Sequence, residues 1–287
     1  MHRVFLASFP ETTEVTVVIA PTNFGDNVFS LTEFADHDGR LGMSFASKPS
    51  EESRLRTARR LFGALLTPTT QWARIIWTAG VGIVLVLVVG LIIRTSRFDF
   101  AVVQFFNGYH HGVVGSLTNA VYAIFEPALA IVGTAVLTGI VLALTRNLRV
   151  ASTFAVTIAA TWLSLAAVKL IVHRPRPDSS LLPFPFAPAQ VDASYPSGHA
   201  AFVTAVVVTI VLGLAARRSR WVAGIIGGLL IVGVATALVV DGVHYPSDVI
   251  ASIVWGIVVA PLARTIWVSV ALRAIDAASS RRSRDAR

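Results

Sequence analysis

Two histidines, each close to a proline, are the first candidates for chemistry in this sequence. His199 ends the motif Pro196–His199 directly before an apolar run, and His244 lies four residues before Asp248 across a second proline-containing helix start. A carboxylate at that spacing can orient an imidazole and stabilise its protonated form. A neutral, oriented imidazole is a nucleophile towards phosphorus, and a second histidine can exchange a proton near neutral pH. Together with nearby cations and an anion-binding helix start, these residues form a set that fits phosphoryl transfer.

A cluster of cations precedes the first histidine. Lys169, Arg174 and Arg176 lie at the end of an uncharged apolar run and just after it. Arginine presents a fork that matches phosphate oxygens, and lysine adds a point charge. Ser197 can donate its hydroxyl, and the unpaired N–H groups of a helix start, where Gly198 allows close approach, favour an anion. Each piece alone also fits interfacial snorkelling or ordinary helix capping.

Composition places these segments in a membrane protein. The chain has 287 residues, of which 54% are hydrophobic and 14% charged, and its mean hydropathy is +0.70. A soluble globule of this size cannot bury that much apolar surface, and disorder is excluded as well. The absence of cysteine excludes thiol catalysis and disulfides. The bases lie in short clusters between apolar runs, which favours membrane orientation over nucleic-acid binding.

Six apolar runs predict an all-α bundle of six transmembrane helices. About 20 residues cross a hydrocarbon core of roughly 30 Å, and the backbone there must satisfy its own hydrogen bonds. Glu126 falls inside the second run. Arg264 follows the last run, and its side chain is expected to snorkel to the water interface. No strand pattern is found. The predicted runs are 75–93, 121–145, 150–168, 200–216, 221–240 and 249–263.

Basic residues orient the bundle. If the helices alternate, sixteen lysines and arginines fall on one side and five on the other. The positive-inside rule then places both termini in the cytoplasm and the candidate site on the extracytoplasmic face. We expect a weakly ordered tail over 1–70, a membrane domain over 71–272 and a basic tail over 273–287. No cleavable signal peptide is recognised, and the plasma membrane is the expected location.

Together the motifs resemble those of the type 2 phosphatidic acid phosphatase family, membrane lipid phosphatases related to vanadium haloperoxidases. Lys169 through Arg176 and the following proline matches the family signature Lys-x6-Arg-Pro, and Pro196–His199 matches Pro-Ser-Gly-His. His244 and Asp248 match the end of Ser-Arg-x5-His-x3-Asp. The resemblance covers about residues 72–272.

The resemblance implies hydrolysis of a lipid phosphate or diphosphate without a metal or other cofactor. His244 would attack phosphorus and become a phosphohistidine, Asp248 would orient it, and His199 would protonate the leaving oxygen and then activate water. The groups that would hold the phosphate oxygens are Lys169, Arg176, Ser197 and the Gly198 N–H. Isoprenyl diphosphate, phosphatidate, phosphatidylglycerol phosphate and sphingoid phosphate all stay open as substrates.

One position departs from the family pattern. Ala237 and Leu238 stand where the third signature has serine and arginine, so one phosphate-binding cation is missing. Losing one such contact typically lowers turnover by about 10²–10³. We expect Arg174, or failing that Arg97, to replace it. Alternatively, the chain binds a lipid phosphate with little or no turnover, and replacing Leu238 with arginine tests whether the position is a simple vacancy.

Two further functions fit parts of the sequence. Zinc-assisted hydrolysis would draw on five outer histidines, which include His110 and His111, but their spacing matches no compact metal motif. A lipid-binding or transport protein would account for an acid at Glu126 inside a membrane helix. The aromatic stretch 98–119 predicts an interfacial helix, and Asp241 is expected to partner a group that the sequence does not identify.

Overall fold

The first of two compact units contains short β-hairpins. The computed structural model describes residues 4–7, 16–19, 29–35, 41–47 and 62–285, and the chain divides into Met1–Ala58 and Arg59–Arg287. In the first unit the antiparallel pairs are β1 (Val4–Ala7) with β2 (Thr16–Ile19), and β3 (Phe29–Ala35) with β4 (Leu41–Ser47). These strands were not predicted, because strands of four to seven residues are too short to show a clear alternation of apolar and polar residues. The other residues of the predicted tail up to residue 61 lie outside the described ones.

Over its described residues, the second unit consists of helices, helical turns and irregular connecting segments, and no strand occurs among those residues. A π-helical turn, Trp267–Ala271, joins the last two helices, and 3-10 turns occur at Gly63–Leu66 and Ser179–Leu181. The helices over residues 62–285 are α1 (Trp72–Ile93), α2 (Phe100–Asn107), α3 (Gly112–Ile124), α4 (Pro127–Thr145), α5 (Leu148–Leu163), α6 (Leu165–Val172), α7 (Gly198–Gly213), α8 (Arg217–Val240), α9 (Pro246–Ile266) and α10 (Leu272–Asp285).

Five helical segments in the described part of the chain are long and apolar enough to cross a membrane, which makes this an integral membrane protein. They are Trp72–Ile93, Pro127–Thr145, Leu148–Val172, Arg217–Val240 and Pro246–Ala278. They correspond to five of the six predicted runs. The remaining run, 200–216, forms α7, which has only 16 residues. This helix is mostly buried and packs against α5, α8 and α9.

Glycines let the neighbouring helices approach α7 closely. A Cβ atom added at Gly227 of α8 would meet Val207, and one added at Gly256 of α9 would lie 2.5 Å from Thr204 Cγ2. Small residues at such contacts allow membrane helices to pack backbone to backbone. The middle of α7 is therefore held between α8 and α9, and this rigid helix carries His199 in its first turn.

Glu126 is not inside a helix, contrary to the prediction. The second apolar run breaks after Ile124, and Glu126 is the N-cap residue of α4, with Pro127 in the first turn. Proline suits a first helical position but opposes continuation of a preceding helix, so it divides the run. The argument for transport that rested on an intramembrane acid therefore loses its basis.

Arg264 does not snorkel, also contrary to the prediction. Its side chain is buried, and its Nε and Nη2 donate to the carbonyls of Leu65 and Ala64, each at 2.8 Å. These carbonyls belong to the turn Gly63–Leu66, where Leu65 is fully buried. A buried arginine needs such acceptors. Residues from Phe62 onwards thus belong to the membrane unit rather than to the predicted tail.

Candidate active site

A cavity of about 220 Å³ opens among the loops that carry the sequence motifs. It brings together five of the eight predicted site residues, whereas Arg174, Ser197 and Asp248 lie behind its walls. The lining residues are Tyr122, Phe125, Pro127, Trp162, Lys169, Arg176, Gln190, Asp192, Gly198, His199 and His244.

His244 lies between a carboxylate and a cation. Its Nδ1 is 3.6 Å from Asp248 Oδ2, slightly beyond hydrogen-bond distance, and its Nε2 is 3.4 Å from Arg176 Nη1. Asp248 Oδ2 also accepts from the Tyr245 N–H at 2.9 Å, which holds the carboxylate at the start of α9. Catalytic hydrogen bonds are often long before substrate binds. The ring nitrogen away from the carboxylate is therefore the one beside the cation in the cavity.

The surroundings of His244 keep its ring neutral. Burial lowers the pKa of the His244 imidazole well below its usual range, and the charges of Arg176 and Lys169 lower it further. Both effects disfavour the charged form. At pH 7 the imidazole is neutral, and with the proton on Nδ1, beside Asp248, the Nε2 lone pair is free to attack an electrophile.

His199 has a ring nitrogen available to a ligand. It is buried in the first turn of α7, and its ring centroid lies 4.4 Å from that of Tyr122. No described residue forms a hydrogen bond with His199 Nε2. Buried polar atoms in proteins nearly always have a partner. Because His199 lines the cavity, a molecule bound there can supply the hydrogen-bond partner of Nε2.

Both cavity cations contact Asp192, which the sequence analysis missed. Lys169 Nζ donates to Asp192 Oδ2 at 2.8 Å, and Arg176 Nη2 donates to Oδ1 at 2.6 Å. Burial alone would raise the pKa of the Asp192 carboxyl, but these hydrogen bonds and charges lower it to about 2. The sequence did contain a signal for Asp192, because it and Asp178 are the two acidic residues between the first two motifs.

Arg174 does not replace the missing phosphate ligand. It is fully buried, and its Nη1 donates to Asp248 Oδ1 and to Ser247 Oγ, both at 2.7 Å. Its Nη2 donates to Asp99 Oδ1 at 2.9 Å, and its guanidinium carbon lies 3.9 Å from the Tyr245 ring centroid. Because Nη1 and Nη2 donate to these partners, Arg174 holds Asp248 from the side away from the cavity and is not among the residues that line it.

Ser197 and Leu238 also lie away from the cavity. Ser197 is fully buried, and its Oγ accepts from the Ala200 N–H at 3.4 Å as the N-cap of α7. Leu238 is fully buried in the apolar core. Arg97, the second expected replacement, is exposed. The cations among the lining residues are Lys169 and Arg176.

His110 is the partner of Asp241 that the sequence left open. The predicted interfacial stretch forms α2 and α3, and His110 lies between them with its Nε2 3.4 Å from Asp241 Oδ1 and 2.9 Å from Asn119 Oδ1. Its Nδ1 is 2.6 Å from the Phe184 carbonyl oxygen. Over the residues that the structure describes, no group of three histidine, aspartate or glutamate side chains is arranged to hold a metal.

Fold and site define an integral membrane protein with a cation-lined cavity that contains two histidines. Residues 149–270 match the family model of the PAP2 superfamily, which confirms the resemblance to type 2 phosphatidic acid phosphatases. The fold is similar to that of the "first transmembrane PAP2 type phosphatidylglycerolphosphate phosphatase from Bacillus subtilis", with a TM-score of 0.57 and 16% identity. That match covers 68% of this chain and 98% of the other. No curated protein matches this chain.

Proposed function

We propose that this protein hydrolyses a lipid phosphate or diphosphate through a phosphohistidine on His244. The observation that carries the proposal is the cavity in which His244 Nε2 lies 3.4 Å from Arg176 Nη1, with His199 and Lys169 in the same wall. The match of residues 149–270 to the PAP2 superfamily model supports a phosphatase, and the helices that are long and apolar enough to span a membrane support a lipid substrate.

The reaction divides into two displacements at phosphorus. His244 Nε2 attacks, the bond from phosphorus to the lipid oxygen breaks, and His199 protonates the departing oxygen. A water molecule, deprotonated by His199, then attacks the phosphohistidine, which releases phosphate and restores His244. Asp248 stabilises the positive charge on the ring through Nδ1. Lys169 and Arg176 stabilise the negative charge that develops on the phosphate oxygens.

An apolar groove next to the cavity supports a lipid rather than a water-soluble substrate. The groove has a volume of about 490 Å³ and lies between α4 and α5. Trp162 lines both the groove and the cavity, so the two spaces adjoin. A tail in the groove would place its headgroup at His244. The residues that line the groove are Ile131, Thr134, Ala135, Thr138, Ala155, Ile158, Ala159, Trp162 and Leu163.

We propose that α7 also crosses the membrane, which gives six spans, cytoplasmic termini and an extracytoplasmic active site. Sixteen residues of helix extend about 24 Å, and the lysine and arginine distribution supports this orientation. Because the chain has no cysteine, single cysteines can test it. In intact cells an impermeant maleimide should label Ser179→Cys near the cavity but not Ser219→Cys at the opposite end. The reverse pattern would invert the topology.

A second candidate is a lipid-phosphate-binding protein with little or no turnover. Leu238 fills the apolar core where the family signature has arginine, and both cavity cations contact Asp192. Those two observations leave the cavity with less positive charge for a transferring phosphoryl group than the family pattern provides. This candidate predicts binding of phosphate lipids without release of phosphate.

Phosphate release by the purified protein in detergent, with excess chelator, tests both candidates. An isoprenyl diphosphate and a phosphatidate are the substrates, and His244→Ala and His199→Ala are the variants, with His111→Ala, an exposed histidine outside the cavity, as the control. We expect release by the wild type and the control, and its loss in both variants. Release that persists in His244→Ala would contradict the phosphohistidine. If no substrate yields phosphate, the second candidate is favoured.

A further inference from the structure

Asp192 occupies donors that the proposed function assigns to the substrate phosphate. Its Oδ2 accepts from Lys169 Nζ at 2.8 Å, and its Oδ1 accepts from Arg176 Nη2 and Nε at 2.6 and 3.1 Å. Arg176 Nη1 donates to the Val243 carbonyl at 2.8 Å. Arg176 Nε also donates to the Asp192 carbonyl at 3.2 Å. A phosphate oxygen can therefore take the Nη2 donor, and share Nε with that carbonyl, only after the carboxylate has left.

Asp192 can leave this position without disturbing the fold. Its side chain is 55% exposed and lies in an irregular segment, beside the fully exposed Val191. The chain is fixed two residues later at Ser194, which is buried and whose N–H donates to the Arg174 carbonyl at 2.8 Å. Displacement thus requires reorientation of one exposed side chain next to a fixed point.

Protonation does not release Asp192 near neutral pH. Although burial alone would raise it, Lys169 and Arg176 hold the pKa of this carboxyl at about 2, so the group stays ionised. An ionised carboxylate leaves two cations only for a ligand that interacts with them more strongly. A phosphate group, with two or more negative charges and additional acceptor oxygens, is such a ligand.

We propose that Asp192 is a built-in competitor for the phosphate site, and that substrate binds by displacing its carboxylate from Lys169 and Arg176. The inference rests on the proposed function, because the competitor and the substrate use the same cations. The carboxylate sets a threshold that every anion must exceed. Singly charged phosphodiester headgroups, which are abundant in a bilayer, attract the two cations less strongly than a phosphate monoester or a diphosphate does.

Binding of inorganic phosphate to the purified full-length protein tests this role without requiring turnover. The variant is Asp192→Asn, and the matched control is Asp178→Asn, an exposed acid in the same loop that accepts from Ser180. We expect the Asp192→Asn variant to bind phosphate at least about tenfold more tightly, because nearby cations typically shift a carboxylate by one to three pKa units. The control should bind like the wild type. A singly charged dialkyl phosphate should also bind more tightly to Asp192→Asn than to the wild type.

Equal or weaker phosphate binding by Asp192→Asn would overturn the inference, because Asp192 would then be a group that positions Lys169 and Arg176 for the ligand. The proposed function would survive that result if lipid phosphate is still hydrolysed. If neither protein binds phosphate and neither releases it from a lipid, the proposed function fails, and the inference fails with it.

Discussion

Arg174 and Arg176 are two residues apart in sequence, but they lie in opposite surroundings. Arg174 is fully buried and bonded to the carboxylates of Asp99 and Asp248. Arg176 lines the cavity, where it meets the exposed carboxylate of Asp192 and lies beside His244. The first arginine is enclosed by fixed partners, whereas the second has a partner that can turn away.

This difference in surroundings separates a residue that positions other groups, Arg174, from one that binds a ligand, Arg176. A buried cation is tolerable only when its partners compensate the loss of water, and removing it leaves two buried carboxylates unpaired. A cavity cation serves a ligand, so its removal affects binding and the transition state more than folding. The following changes test this separation, from the largest expected effect to the smallest.

Leu238→Arg tests whether the fold tolerates a further buried arginine that, unlike Arg174, has no carboxylate partners in the surrounding apolar core. Leu238 is fully buried in the apolar core, so a guanidinium there would be both desolvated and overpacked. We expect the free energy of unfolding to fall by roughly 5 kcal/mol or more. Leu238→Met, which conserves volume, is the control and should change it by less than about 1.5 kcal/mol. An unchanged unfolding midpoint with higher phosphate release would show that the arginine reaches the cavity and fills a simple vacancy.

Arg174→Ala tests the enclosed arginine. Asp99 and Asp248 would be left without their cation, and breaking a buried pair costs about 3–5 kcal/mol. We expect a lower unfolding midpoint in detergent. Asp99→Asn in the Arg174→Ala background should recover part of the loss, because it removes one unpaired charge. A midpoint equal to that of the wild type would contradict the enclosed role.

The motif residues that line the cavity were easier to predict than the partners that hold them. His199, His244, Lys169 and Arg176 belong to short motifs that fall on one side of the predicted membrane and resemble the family signatures, so the sequence placed them at one site. Asp192 belongs to no such motif, because it lies in an irregular loop. The partners of a buried arginine also depend on folding, since Asp99 and Arg174 are far apart in sequence but are joined at 2.9 Å.

The fold was predicted where apolar runs were uninterrupted. Five runs became helices that can span a membrane, whereas Pro127 divided one of them between α3 and α4. Arg264 was predicted to reach water because the sequence does not show that the carbonyls of Ala64 and Leu65 are nearby. Hydropathy reports the free energy of transferring a segment from water to the membrane, but it does not show which distant groups accept hydrogen bonds from a buried charge.

Arg176→Ala tests the arginine in the cavity. Removing one donor to a developing negative charge typically lowers kcat by about 10²–10³. We expect a loss of phosphate release in that range, with an unfolding midpoint close to that of the wild type. Arg97→Ala, which removes an exposed arginine outside the cavity, is the control and should leave release unchanged. A large loss of stability in Arg176→Ala would remove the contrast with Arg174.

Asp241→Asn extends the comparison to a buried carboxylate with a histidine instead of an arginine beside it. Burial raises the pKa of the Asp241 carboxyl to about 6, while Thr118 and His110 lower it only in part. Because the folded-state value exceeds that of an unfolded aspartate, the stability that protonation provides is complete below about pH 4 and is lost as pH rises through about 6.

The asparagine variant should therefore be more stable than the wild type at pH 8, and the difference should shrink or reverse at pH 4. At pH 8 the free energy of unfolding of the variant should exceed that of the wild type by about 1–2 kcal/mol. This is less than the energy that corresponds to a pKa shift of about two units, because the asparagine also loses the attraction to His110. Unfolding midpoints of both proteins across this range provide the measurement. A difference that is constant with pH would mean that Asp241 keeps the same charge throughout, and that His110 compensates it as completely as Arg174 compensates Asp99 and Asp248.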